Sequence, residues 1–183
     1  MSDSADPARA GAPTSERPVL VLVGPPGAGK STIGRLVAQR LGVRFSDTDD
    51  MVEASAGRSV SDIFVVDGEP AFRELERAAV LEALQRSGVV ALGGGAVMDL
   101  RTESDLAGHA VVFLDVRIAD AAGRVGFSAS RPLLAVNPRA KWTSLMTERR
   151  PVYTRVARAR VDTAGREPDD IADEVLTHVG SNA

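Results

Sequence analysis

Apolar positions along the chain fall into two alternating patterns. Residues 19–23 read Val-Leu-Val-Leu-Val, the composition of a strand buried on both faces. A glycine-rich turn follows. Residues 31–41 then place Ile33, Leu36, Val37 and Leu41 at helical spacing, with Gly42 closing the helix. A second strand is expected over 43–46, short helices over 49–56 and 59–66, and a longer helix over 69–86. The apolar side of that long helix reads as Phe72, Leu75, Val80, Leu81 and Leu84. A third strand over 89–92 is broken at once by Gly93-Gly94-Gly95. Residues 110–114 predict a fourth strand and 117–124 a helix. Residues 138–156 are helical, with a bend or break at Pro151. A fifth strand over 158–162 and a closing helix over 171–179 complete the series. Two stretches carry no period. Residues 1–17 lack an apolar core and a basic start, so they are expected to be a disordered tail and not a secretory signal. Residues 126–137 read as a long loop, of the length often used as a lid.

Nearly all-apolar strands alternating with helices predict one α/β domain over 18–183, a three-layer sandwich around a parallel sheet. Ligands of such sheets bind at the carboxyl ends of the strands. The turns after Val23, Ser46 and Leu92 are therefore the places to look for chemistry. Composition narrows the classes of function. The 183 residues are 44% hydrophobic, and 22 Lys and Arg against 25 Asp and Glu give a net charge of −3. That balance supplies no basic field for nucleic acid or an anionic membrane. No apolar run reaches the roughly 18 residues of a membrane span. There is no cysteine, which excludes disulfides, zinc–thiolate sites and thiol nucleophiles and is compatible with a reducing cytoplasm. A cytoplasmic monomer acting on small molecules is expected. His109 and His178 lack metal-spaced partners, and Trp142 reads as helix packing.

The first of the three turns carries the most specific signal. Gly24-Pro25-Pro26-Gly27-Ala28-Gly29-Lys30-Ser31 fits G-x-x-x-x-G-K-[S/T] in full. Its glycines let the backbone from Gly27, Ala28 and Gly29 through to Thr32 wrap a phosphate with inward N–H groups. The helix that follows adds the positive end of its dipole. Lys30 is a point charge for the β- and γ-phosphates of ATP, and the Ser31 hydroxyl is suited to Mg²⁺.

The other two turns suggest an acceptor. Asp47 and Asp49 stand two residues apart near a strand end, where alternate side chains diverge. One can serve a metal shell and the other an acceptor hydroxyl, or either can cap the next helix. Arg73 and Arg149 suit a carboxylate, which guanidinium grips bidentately. Arg73 can equally be a helix-surface charge paired with Glu69 or Glu76, and Arg149 part of a solvated cluster with Arg150. Gly93, Gly94 and Gly95 either admit a ring-sized ligand to the backbone or form only a turn.

Taken in order, the phosphate loop, Phe45-Ser46-Asp47-Thr48-Asp49, Phe72-Arg73, Gly93-Gly94-Gly95-Ala96-Val97, Arg131-Pro132-Leu133-Leu134, Arg149-Arg150-Pro151-Val152-Tyr153 and Val161-Asp162-Thr163 resemble shikimate kinase over about 18–179. The resemblance implies a P-loop kinase fold with sheet order 2-3-1-4-5. It implies transfer of the γ-phosphate of ATP to the 3-hydroxyl of shikimate, toward chorismate and the aromatic amino acids. It casts Lys30, Asp49 and Arg131 as catalytic, with Arg131 reaching the ATP phosphates from the lid, and Asp47 as part of the Mg²⁺ shell. Arg73, Arg149, Gly93, Gly94, Gly95 and Asp49 would bind shikimate, and Arg124 and Arg166 would lie near the adenine. The rival readings are a kinase for a sugar acid or nucleotide, and a nucleotide-binding module without catalysis.

Overall fold

The computed structural model describes residues 17–125 and 138–179. The expected tail, apart from its last residue, and the expected lid with Arg131 lie outside the described residues, as does the Arg124 side chain.

Five strands form one parallel sheet: β1 (Pro18–Val23), β2 (Phe45–Asp47), β3 (Gly88–Ala91), β4 (Val111–Asp115) and β5 (Ala159–Asp162). Their order is β2-β3-β1-β4-β5, as the resemblance implied. Every residue of β3 and β4 is buried. Successive side chains on a strand point to opposite faces, so this burial requires cover on both.

The cover is helical. It comprises α1 (Lys30–Leu41), α2 (Thr48–Ala56), α3 (Val60–Val66), α4 (Gly68–Leu84), α5 (Leu100–Asp105), α6 (Ile118–Val125), α7 (Pro138–Val156) and α8 (Pro168–Leu176). The main core joins the strands to Ile33 and Val37 of α1, Val80 and Ala83 of α4, Trp142, Met146 and Tyr153 of α7, and Ile171 and Val175 of α8. Tyr153 stacks on Phe113 of β4, ring centroids 5.1 Å apart. A smaller core of Val52, Ile63, Phe72 and Ala79 holds α2 and α3 onto α4. Among the described residues no helix is long and apolar enough to cross a membrane.

Several expectations are corrected. β2 starts two residues later than its apolar run suggested. Val43 is spent closing α1, donating its N–H to Ala38 O, and pairing with β3 begins only at Phe45. Leu81 is exposed, whereas Glu76 is buried. The buried stripe of α4 runs through Phe72, Glu76, Ala79, Val80 and Ala83, so a carboxylate occupies an apolar position. Pro151 does not break α7, which runs on to Val156. The 3₁₀ turn Ala96–Met98 and α5 were not anticipated, because they are short and follow three glycines.

Gly24 ends β1 where the sheet allows nothing larger. Its φ is +147°, and a Cβ there would be driven into the Leu114 carbonyl of β4. Gly42 also has positive φ, +65°, but a Cβ there would meet nothing within 4 Å. Denaturant unfolding should therefore separate the two. Gly42→Ala is expected to cost about 1 kcal/mol of left-handed strain, and Gly24→Ala about 2 kcal/mol or more, because backbone must also move. Equal losses would contradict the close β1–β4 approach.

Candidate active site

The phosphate loop links β1 to α1. Lys30 folds back over it, Nζ donating to Gly24 O at 2.9 Å and Pro25 O at 3.1 Å. Ser31 Oγ donates to Asp47 Oδ2 at 2.6 Å, which joins the loop to the end of β2. Asp47 is also the N-cap of α2, its Oδ1 accepting from Asp49 N at 3.0 Å. Of the two alternatives for Asp47 the cap is realised through Oδ1, while Oδ2 holds the Ser31 hydroxyl. Thr32 is exposed at the start of α1.

Asp49 diverges from Asp47, as alternate residues must, and approaches the third turn. There the backbone is crowded by side chains from three helices. A Cβ at Gly93 would lie 2.6 Å from Asp49 Oδ1 and 2.6 Å from Glu76 Oε1. A Cβ at Gly95 would strike the Arg73 guanidinium, and one at Gly94 would sit 3.2 Å from Pro26 Cδ and 3.6 Å from Arg149 Nη1. The glycines are therefore more than a turn. They leave the space that Asp49, Glu76, Arg73 and Arg149 occupy. Thr48, fully buried, accepts the Gly93 N–H on its Oγ1 at 2.8 Å, and Tyr153 Oη donates to the Gly94 carbonyl.

Arg73 and Arg149 arrive at neighbouring glycines from α4 and α7. Arg149 is only 7% exposed, which rules out the solvated-cluster reading, whereas Arg150 turns away to Asp115. Arg73 pairs with both helix neighbours, with Glu69 on its exposed side at 2.8 Å and with Glu76 at 2.6 Å. Glu76 is no surface partner, since its side chain is 4% exposed. Burial pushes its carboxyl above the usual carboxylate range, the Arg73 charge opposes that, and Asp49 adds to it. Burial likewise raises the Tyr153 phenol to about 12, so it stays a donor.

Arg166 is bonded within the protein. Its Nη1 donates to Asp162 O at 2.9 Å and to Glu174 Oε2 at 2.6 Å, which fastens the turn after β5 to α8. Three residues had no role in the sequence reading. Thr48 lies between the two aspartates, and Tyr153 closes the Arg149 motif. Asp115, at the end of β4, is buried and paired with Arg150 and Arg160. For Asp115 the available signal was a polar group closing an otherwise apolar strand.

The family profile described as "Shikimate kinase" matches residues 26–180. The chain belongs to the shikimate kinase family. Shikimate kinases are ATP-dependent kinases that act on shikimate, and that is the activity of this chain. Shikimate kinase of Streptomyces avermitilis is 54% identical over 160 residues, covering 87% of this chain and 94% of that protein. The Thermobifida fusca enzyme is 55% identical over 160 residues, covering 87% and 93%. The fold is shared with a solved shikimate kinase from Acinetobacter baumannii in complex with shikimate. That match has a TM-score of 0.84 and 33% identity over 90% of this chain and 93% of that one. A shikimate kinase from Aquifex aeolicus superposes with a TM-score of 0.75 at 29% identity, over 87% and 94%.

Glu76 supplies the test of this geometry. Glu76→Gln keeps the side chain's size and removes the charge that holds Arg73 from the buried side. Shikimate affinity measured by calorimetry should fall about 10-fold, the loss of one charge-assisted contact. Because burial lifts the Glu76 carboxyl, lowering the pH should protonate it earlier than an ordinary glutamate. Wild-type affinity should then converge on that of the variant. A variant equal to wild type at neutral pH would contradict the role.

Proposed function

We propose that this shikimate kinase carries the γ-phosphoryl group of ATP to the 3-hydroxyl of shikimate between the phosphate loop and the Gly93–Gly95 turn. One observation carries the reading. A phosphate loop, a carboxylate and two arginines meet at the carboxyl ends of β1, β2 and β3, where a Cβ added to Gly94 would touch both Pro26 and Arg149.

Phosphoryl transfer needs positioning and charge neutralisation more than covalent help. The N–H groups from Gly27 to Thr32 and the Lys30 ammonium would hold the β- and γ-phosphates. Ser31 and Asp47 are hard oxygen donors 2.6 Å apart, a pair that fits Mg²⁺. Among the described residues no cluster of three or more acidic, His or Cys side chains offers a fuller protein cage, as suits an ion that keeps waters and phosphate oxygens. When bound, Mg²⁺ would neutralise phosphate charge. Asp49 would accept the hydrogen bond of the attacking hydroxyl and orient it. Arg73 and Arg149, converging on adjacent glycines, would grip the carboxylate of shikimate. Arg131 on the lid and Arg124 and Arg166 at the adenine remain the expectations that the family carries for them. We infer a cytoplasmic monomer, in keeping with the cysteine-free chain.

A coupled ADP-release assay with shikimate, gluconate and nucleoside monophosphates tests the substrate. Turnover with shikimate alone is expected, and equal turnover with gluconate would overturn the assignment. In the same assay Lys30→Ala should lose about 10²–10³ in kcat, the usual effect of removing a transition-state charge contact. Arg149→Lys should weaken shikimate binding about 10-fold with ADP binding unchanged, because lysine cannot reproduce the bidentate fork. Near-normal turnover in a folded Lys30→Ala protein, or unchanged shikimate affinity in Arg149→Lys, would refute these roles.

A further inference from the structure

The phosphate loop contains a tight turn whose geometry is held from outside. Ala28 N donates to Pro25 O at 3.2 Å, which closes a four-residue turn with Pro26 and Gly27 at its centre. Gly27 has φ +82°. Proline followed by glycine at positive φ is the signature of a type II turn. Type I and type II turns differ by a flip of the central peptide, here Pro26–Gly27. Glycine makes that flip easy, because it tolerates either sign of φ.

Trp142 lies on α7, 5% exposed, and its Nε1–H donates to the Pro26 carbonyl at 3.3 Å. That carbonyl belongs to the peptide that would flip. A trans peptide is planar, and its C=O and N–H point in opposite directions. Holding the Pro26 oxygen toward α7 therefore aims the Gly27 N–H away from α7. We infer that Trp142 is a positioning residue for phosphoryl transfer: its indole N–H locks the Pro26–Gly27 peptide so that the Gly27 N–H faces the bound phosphates.

The lock ties donor to acceptor. Trp142, Met146, Arg149 and Tyr153 recur at helical spacing along one buried face of α7. The first bonds the phosphate loop. The last two meet the Gly94 turn. One rigid helix thus sets the distance between the two halves of the site, and it begins directly after residues 126–137. Packing alone does not need the N–H, since a phenyl ring would fill most of the same space.

The inference rests on the loop binding ATP, so wild-type ADP binding is measured first. Trp142→Phe keeps an aromatic ring and removes the donor. Calorimetry should show ADP affinity reduced about 5–10-fold, with shikimate affinity in the absence of nucleotide unchanged within twofold. In steady state the KM for ATP should rise and kcat fall, with the KM for shikimate little altered. A purely structural tryptophan would weaken both ligands together in step with a lowered Tm, or neither, and either result overturns the inference. Should the variant fail to fold, the unaltered protein decides. Its single tryptophan gives one indole N–H signal in NMR, and hydrogen exchange at that N–H should be slow and slow further with ADP, but not with shikimate alone. Exchange at the rate of an exposed indole, or indifferent to ADP, overturns it. No ADP binding by the wild type would instead remove the nucleotide-loop reading itself.

Discussion

No Cβ can be placed on Gly93 or Gly95 without displacing a charged side chain, and the acceptor half of the site depends on that constraint. The turn after β3 is backbone only, so Asp49 from α2, Glu76 and Arg73 from α4, and Arg149 from α7 can crowd onto it. Two carboxylates and two guanidinium groups share this small volume, and their signs balance. Burial raises the Glu76 carboxyl above its usual range, and the Arg73 charge opposes this. The cluster is costly to assemble in a partly dry site and is repaid by shape: its charges are fixed before a ligand arrives.

The rest of the fold serves to bring this turn beside the phosphate loop. β1 pairs with both β3 and β4, so the loop that follows β1 lies next to the turn that follows β3. β2 pairs with β3 on its other side, which puts Asp47 against Ser31 and Asp49 against Gly93. Parallel pairing makes all three strands end together, and the order β2-β3-β1 is therefore a requirement of the chemistry. α7 crosses the ends of both halves and bonds each, through Trp142 and Tyr153.

Much of this was legible in the chain. The wholly apolar strands, the phosphate loop and the glycine triplet each have a local cause, so their positions follow from local patterns. Ser31, Asp47, Asp49, Arg73 and Arg149 could be named because each lies in a motif with its own chemical reason. What escaped was set by tertiary contact. Glu76 sits on the apolar stripe of α4, where a count of hydrophobic residues selects Leu81 instead. Thr48, Tyr153 and Trp142 act through carbonyls or N–H groups far away in sequence, and no periodicity announces such a partner. β2 is three residues long and is held by pairing with β3, so its own apolar pattern misplaced its start. Asp47 was weighed as cap or metal-side carboxylate, and only geometry reveals that one oxygen caps α2 while the other accepts from Ser31.

The central claim is that the glycine turn is space reserved for charged groups and for shikimate. Titration of Gly95→Ala with shikimate and with ADP tests it most directly. The added methyl must displace the Arg73 guanidinium, so shikimate affinity is predicted to fall at least 10-fold, or about 1.4 kcal/mol, with ADP affinity unaltered and the fold retained. A well-folded Gly95→Ala protein that binds shikimate as tightly as the wild type would contradict the account.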